Sequence, residues 1–220
     1  GTLWLLAAFL LVNLLVLLEV ADRLSLKNDL EIAREIQQSM LPRAGFKAPG
    51  IEAFGMTRPA NTVGGDFYDI VPLPDGRVLL ALGDVAGKGS PAALLMALLL
   101  AMMRTLIDEG LEGADLVTRL NVQIGRHAQP HSRFVTLFVA ILNPATGELT
   151  YVNAGQNPPL LRRGNGTYER LRAGGMALGM FENASYTTGA TTLEPGDVLV
   201  MYSDGITEAE DTFDQPFDEA

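Results

Sequence analysis

The sequence predicts an α+β domain of antiparallel strands around two helices, carried behind an apolar N-terminal helix. Three observations point there. Short runs rich in Val, Ile, Leu and Phe recur from Ile51 onward, bounded by Gly, Pro, Asn or Asp. Only two helical patterns interrupt them, so strands and helices do not alternate as in a parallel sheet. Residues 1–18 carry no charge at all.

Residues 1–18 read as a transmembrane helix, because a spanning helix needs roughly 20 apolar residues. Trp4 lies near one end, where an interfacial aromatic belongs. The rival readings are a buried soluble helix and a signal peptide; the latter would want a basic start and a small-residue cleavage site, and neither is seen. Residues 19–42 read as a linker helix. Leu26, Leu30, Ala33, Ile36 and Met40 repeat there at three- and four-residue steps. Two readings of this stripe stand: a helix lying on its own domain, or half of a coiled coil that makes a homodimer and carries a signal from membrane to domain. Leu41-Pro42 ends the helix.

Residues 43–220 form the globular domain, and 42–50 read as a linker rich in Pro and Gly. Residues 51–57, 67–71 and 77–82 read as strands, with a hairpin turn at Asp75-Gly76. Ser90 as N-cap and Pro91 at the first helical position start a helix that runs to about residue 108. It is apolar nearly all round and so buried. A second helix covers 114–124, and His127 and His131 follow in a polar connection. Residues 133–142 and 148–153 make a hairpin. Strands at 158–163, 186–193 and 198–202 complete the set, with a turn at 194–197.

Composition excludes several chemistries. The chain of 220 residues has no cysteine, so disulfides, thiolate metal sites and a cysteine nucleophile are out. It has two histidines and no HExxH pattern, which argues against a histidine-rich zinc site. The formal net charge is −10 and no basic patch is visible, so nucleic acid is not an expected partner. An acidic excess suits solubility or a site that collects cations. The chain starts without Met and ends without a closing element, as expected of a fragment cut at both ends.

Three aspartate motifs share one grammar: Gly64-Gly65-Asp66-Phe67-Tyr68-Asp69, Gly83-Asp84-Val85 and Ser203-Asp204-Gly205. Asp84 and Asp204 follow apolar strands, and Asp66 precedes one. Each has a glycine beside it, which lets the backbone turn sharply or approach a ligand closely. Carboxylates so placed can converge on a hard cation, Mg²⁺ or Mn²⁺. Asp and Gly are also ordinary turn residues, as at Asp75-Gly76 and Asp197. A phosphate-binding loop at 83–90 is rejected: three residues separate Gly83 from Gly87, and Gly89 intervenes before Ser90.

These motifs, with Glu31-Ile32-Ala33-Arg34-Glu35-Ile36-Gln37-Gln38-Ser39-Met40-Leu41-Pro42, Gly83-Asp84-Val85-Ala86-Gly87-Lys88-Gly89, Asn153-Ala154-Gly155-Gln156-Asn157-Pro158-Pro159 and Tyr202-Ser203-Asp204-Gly205-Ile206-Thr207-Glu208-Ala209, resemble the SpoIIE-type phosphatases. Those are a branch of the PPM, or type 2C-like, metal-dependent serine/threonine protein phosphatases. The resemblance covers nearly everything after residue 30. It implies an α/β/β/α sandwich of two antiparallel sheets flanked by helices, with two Mn²⁺ or Mg²⁺ ions at one end. Asp84 would bridge both ions, the Val85 carbonyl and Asp66 would serve one of them, and Asp204 the other. Two such ions lower the pKa of a water and stabilise charge in an in-line displacement, so no protein nucleophile is needed. The implied substrate is a phosphoserine or phosphothreonine on a STAS-type anti-sigma factor antagonist. The implied location is the cytoplasmic membrane, with the phosphatase domain in the cytoplasm.

The chain departs from the family pattern in three places. The last metal-binding aspartate is expected beyond Ala220. Gln156 stands where many relatives have histidine. Ala86 stands where eukaryotic relatives have the histidine that serves as general acid. A non-catalytic module that uses the same fold to bind a partner in a membrane signalling complex is the alternative expectation.

Overall fold

With no proline and no glycine from Thr2 to Met40, the anchor and linker form one uninterrupted helix in the computed structural model. This is α1 (Thr2–Met40), 39 residues long, or about 58 Å at the α-helical rise. The structure describes residues 1–42, 45–59, 61–128 and 133–209, apart from the side chains of 127 and 128. By length and composition α1 could cross a membrane. It is exposed as far as Asp29; Leu30 and Ala33 are half-buried, Gln37 is buried, and Met40, with Leu41 just after the helix, packs on the domain core. Leu26 and Ile36 remain 61% and 59% exposed, so the apolar stripe as a whole does not lie on its own domain.

After α1 the chain forms β1 (Phe46–Ala48) and β2 (Ile51–Ala53), an antiparallel hairpin with Phe46 opposite Ala53. This corrects the expectation of a linker over 42–50, and it shortens the strand expected at 51–57. Phe46 and Ala48 are half-buried while Lys47 is exposed, the alternation of a strand with one sheltered face. Next come β3 (Phe67–Pro72) and β4 (Val78–Val85), joined at Asp75-Gly76 as expected. There Gly76 takes φ +85, and its N–H donates to the Leu73 carbonyl at 3.0 Å.

Helices α2 (Ser90–Asp108) and α3 (Gly113–Ala128) follow. The N-cap of α2 is Gly89, at φ +74, and no side chain caps it, so Ser90 is not the cap. His127 is in α3 and not in a connection; His131 lies outside the described residues. The remaining elements are β5 (Val135–Leu142), β6 (Glu148–Ala154), β7 (Leu160–Arg162), β8 (Tyr168–Arg170), β9 (Gly174–Gly175), β10 (Gly189–Thr192), β11 (Val198–Val200) and the short α4 (Asp204–Thr207).

Five strands form the central sheet in the order β10-β6-β5-β4-β3, with β9 added parallel to β6. A second, three-stranded antiparallel sheet runs β11-β7-β8. Period-two alternation sorts the central strands into two faces. Leu79, Ala81, Val85, Leu137 and Val139 pack with Met96, Leu99, Leu100 and Met103 of α2 and with Leu116 and Leu120 of α3. The opposite face, with Phe138, Ala140, Leu149 and Tyr151, packs with Leu161 of the second sheet and with Leu171. The rings of Phe138 and Tyr151 stack there at 5.6 Å. The layers are therefore helices, central sheet and second sheet. Both expected helices and the β5–β6 hairpin are present. At roughly 25 cal/mol per Å² of apolar surface removed from water, the fully buried α2 side chains make that helix the main support behind β4.

Candidate functional site

Asp84 sits inside a strand, not after one. Its neighbours Gly83 and Val85 pair with Leu137 and Val135 of β5, and Asp84 itself with Thr136. Cross-strand pairing overrides the weak strand preference of Gly83. Glycine is required at that point: a Cβ on Gly83 would come within 2.5 Å of both the Phe67 ring and the Thr136 carbonyl. Alternation then puts Asp84 on the face of Leu80 and Leu82, away from α2.

Asp66 immediately precedes β3 and comes beside Asp84 through Gly65. A Cβ on Gly65 would meet the Val85 carbonyl oxygen at 2.6 Å and Asp84 Oδ1 at 2.9 Å. Those are two of the oxygens expected to hold a cation, and the glycine leaves their approach open. Asp204 arrives from the second sheet, at the start of α4, where it is exposed. All three expected carboxylates interact electrostatically.

Burial and this crowding shift both inner carboxylates. Burial raises the pKa of Asp66; a hydrogen bond from the Ser203 hydroxyl lowers it, and the charge of Asp204 raises it. Burial, then the charges of Asp66 and Asp204, push Asp84 up to about 7, against a lowering hydrogen bond from the Val85 N–H. Asp66 Oδ1 is buried and has no hydrogen-bond partner. An orphaned carboxylate oxygen among like charges lacks a positive group.

The donors fit a hard divalent cation in type and in charge: carboxylates and a backbone carbonyl. They are gathered but not closed around an ion. Among the described residues, no three Asp, Glu or His side chains form a ready-made metal cluster.

Sequence reasoning missed two further contributors. Ser203 answers one side of Asp66. Gln37, buried near the end of α1, donates through Nε2 to the Gly64 carbonyl at 2.6 Å and accepts from the Gly64 N–H at 3.2 Å. A Gln among the apolar positions of a linker helix was the available signal. Asp69, three residues after Asp66, takes no part in the site. It points to the helix side, where Arg104 grips it through Nε at 2.7 Å and Nη2 at 3.0 Å. Lys88 is exposed.

The family model of stage II sporulation protein E (SpoIIE) matches residues 74–220. The chain is 33% identical over 187 residues to phosphoserine phosphatase RsbU of Bacillus subtilis, covering 83% of this chain and 54% of RsbU. Among solved structures, the SiaA PP2C domain of Pseudomonas aeruginosa superposes with a TM-score of 0.74 at 20% identity, over 90% of this chain and 80% of that one. RsbX in complex with magnesium gives a TM-score of 0.59 at 19% identity, over 74% and 78% of the two chains. At those identities the two structures establish the fold. The chain spans about half the length, or less, of the curated relatives it matches.

Proposed function

This chain belongs to the SpoIIE family of PP2C-type phosphatase domains, and from that membership we propose that it is a metal-dependent protein serine/threonine phosphatase acting on a phosphorylated signalling protein. The observation that carries the reading is the unanswered charge of Asp66 and Asp84, with a buried orphan oxygen between facing carboxylates. The name of RsbU as a phosphoserine phosphatase supports phosphoserine as the substrate group. A STAS-type anti-sigma factor antagonist is the proposed carrier.

Asp84, Asp66, Asp204 and the Val85 carbonyl are the proposed ligands for two Mn²⁺ or Mg²⁺ ions. Bound there, such ions would supply the charge that acidifies water and neutralises a phosphate. The chain's own residues do the positioning. Strand pairing of β4 with β5 fixes Asp84 and the Val85 carbonyl on adjacent residues. Gly65 keeps bulk out of the space before them, and Ser203 orients Asp66. Ala86 offers no proton, so protonation of the leaving group would fall to water or another group.

We also propose that residues 1–18 anchor the protein in the cytoplasmic membrane with the phosphatase domain, 43–220, in the cytoplasm. Residues 19–42 would link the two and pair with a second copy. The length and apolar character of α1 support the anchor. The exposed Leu26 and Ile36 support the pairing, since their own domain does not cover them. The test is hydrolysis of a phosphoserine peptide by the intact protein with Mn²⁺. Phosphate release that EDTA stops is the expected result; release unaffected by EDTA would reject the reading.

A further inference from the structure

The proposed ligands come from two different sheets. Asp66 and Asp84 belong to the central sheet, and Asp204 follows β11 of the second. The separation of the sheets at this end therefore sets the separation of the carboxylates. Apolar packing between Phe138, Tyr151 and Leu161 holds the sheets together farther back. Packing of that kind is not directional.

Among the described residues two directional ties cross at the site end: the Ser203 hydroxyl bonds Asp66 directly, and Gln156 bonds the strand end before it. Gln156 lies two residues beyond β6 and is only 7% exposed. Its Nε2 donates to the Tyr202 carbonyl at 3.2 Å, two residues beyond β11. Its own backbone is locked first. The Gln156 N–H donates to Asn153 Oδ1 at 2.8 Å, and Asn153 Nδ2 donates to the Gln156 carbonyl at 2.9 Å. Asn153 is itself in β6 and buried. The turn is tight, because Gly155 takes φ +76 and a Cβ there would meet the Ala177 nitrogen at 2.8 Å. Tyr202 is gripped from the other side as well, its hydroxyl accepting from Arg170 Nη1 at 2.9 Å. The next residue, Ser203, donates to Asp66, and the next is Asp204.

We infer that Gln156 is a positioning residue: its side-chain amide braces the two sheets and sets where Asp204 stands relative to Asp66 and Asp84. Among the described residues the Gln156 side chain bonds the Tyr202 carbonyl and no carboxylate. It works through the Tyr202 carbonyl, and the inference rests on the metal-site reading above. Histidine, which stands here in many of the relatives the motif resembles, can also donate a ring N–H. Outer groups that orient metal ligands typically affect affinity by about 10- to 100-fold when removed.

The experiment measures Mn²⁺ binding directly, from the loss of the free-ion paramagnetic resonance signal, in the intact protein and in Gln156→Met and Gln156→His. Methionine keeps length and flexibility and removes the donor. The dissociation constant should rise about tenfold in Gln156→Met and stay within about twofold in Gln156→His. The melting temperature in EDTA should move little in either. If Gln156→Met binds Mn²⁺ as the parent does, or if both variants weaken alike, the brace is overturned. If the parent binds no Mn²⁺ while remaining folded, the metal reading fails and this inference with it. Should Gln156→Met fold poorly, Gln156→Leu, neutral and of similar size but without the donor, gives the same comparison.

Discussion

Asp69 and Asp197 on one side, and Asp66 and Asp84 on the other, are the same residue type in opposite circumstances. Asp69, 2% exposed, meets the Nε–Nη2 edge of Arg104 with both its oxygens. Asp197, whose side chain is 3% exposed, accepts from Arg163 at 2.8 Å and from the N–H groups of Gly164 and Glu194. Each stabilises a junction: Arg104 also donates to the Met40 carbonyl at 2.8 Å, tying the end of α1 to β3. The groups acting on Asp66 and Asp84 among the described residues include no cation. Burial of a paired carboxylate builds the fold, whereas burial of unpaired ones costs stability and marks a site where something positive is to bind.

The two classes should break differently. Asp84→Ala should lower Mn²⁺-dependent hydrolysis of an aryl phosphate by on the order of 10³-fold while urea denaturation shows an intact fold. Arg104→Leu, which strands buried Asp69, should instead cost about 3–5 kcal/mol of stability in urea. Equal loss of activity and fold in both variants would erase the distinction.

Gly65→Ala probes the opening between the unpaired carboxylates. The new Cβ would press on the Val85 carbonyl and Asp84 Oδ1, at 2.6 and 2.9 Å. Activity should fall by about 100-fold, on the order of 3 kcal/mol in transition-state stabilisation, with a stability loss of about 1–3 kcal/mol read by thermal melting.

Asp84→Asn should sharpen the contrast by stabilising the metal-free protein. The folded pKa of Asp84, about 7, lies above the ordinary 3.8. Its contribution to stability is therefore present below about pH 4 and lost as pH rises through 7. In EDTA at pH 8 the variant should gain on the order of 1–2 kcal/mol, reduced for solvent screening of a half-exposed group. At pH 4 the gain should vanish.

The smallest effect belongs to an exposed carboxylate. Hydrogen bonds from the Arg77 backbone and side chain hold the Asp75 pKa below 3.8. Its contribution is present above that value and lost as pH falls through the lower folded one. Asp75→Asn should leave hydrolysis unchanged and lower the melting temperature slightly at pH 7, by an amount that shrinks as pH falls below 3.8.

Local signals made much of this legible. Alternation and turn residues revealed β3 to β7, and Asp75-Gly76 and 194–197 were visible as turns. The three aspartates were visible through their glycines and apolar strands. The residual errors have physical causes. Phe46-Lys47-Ala48 looked like linker because its strand is defined by pairing with β2. Tyr168-Glu169-Arg170 is short and polar, and only β7 makes it a strand. Ser90 resembled a cap, yet Gly89 took the position through a positive φ. Ser203 beside Asp66, and Gln37 on Gly64, are contacts between residues distant in sequence, which no local pattern encodes.

The most direct test of the central claim is calorimetric titration of Mn²⁺ into the intact protein, its Asp84→Asn variant and its Asp75→Asn variant. Saturable binding to the parent and to Asp75→Asn, lost in Asp84→Asn, is the expected result. Binding that survives Asp84→Asn undiminished would contradict the assignment of the unpaired carboxylates as the metal site.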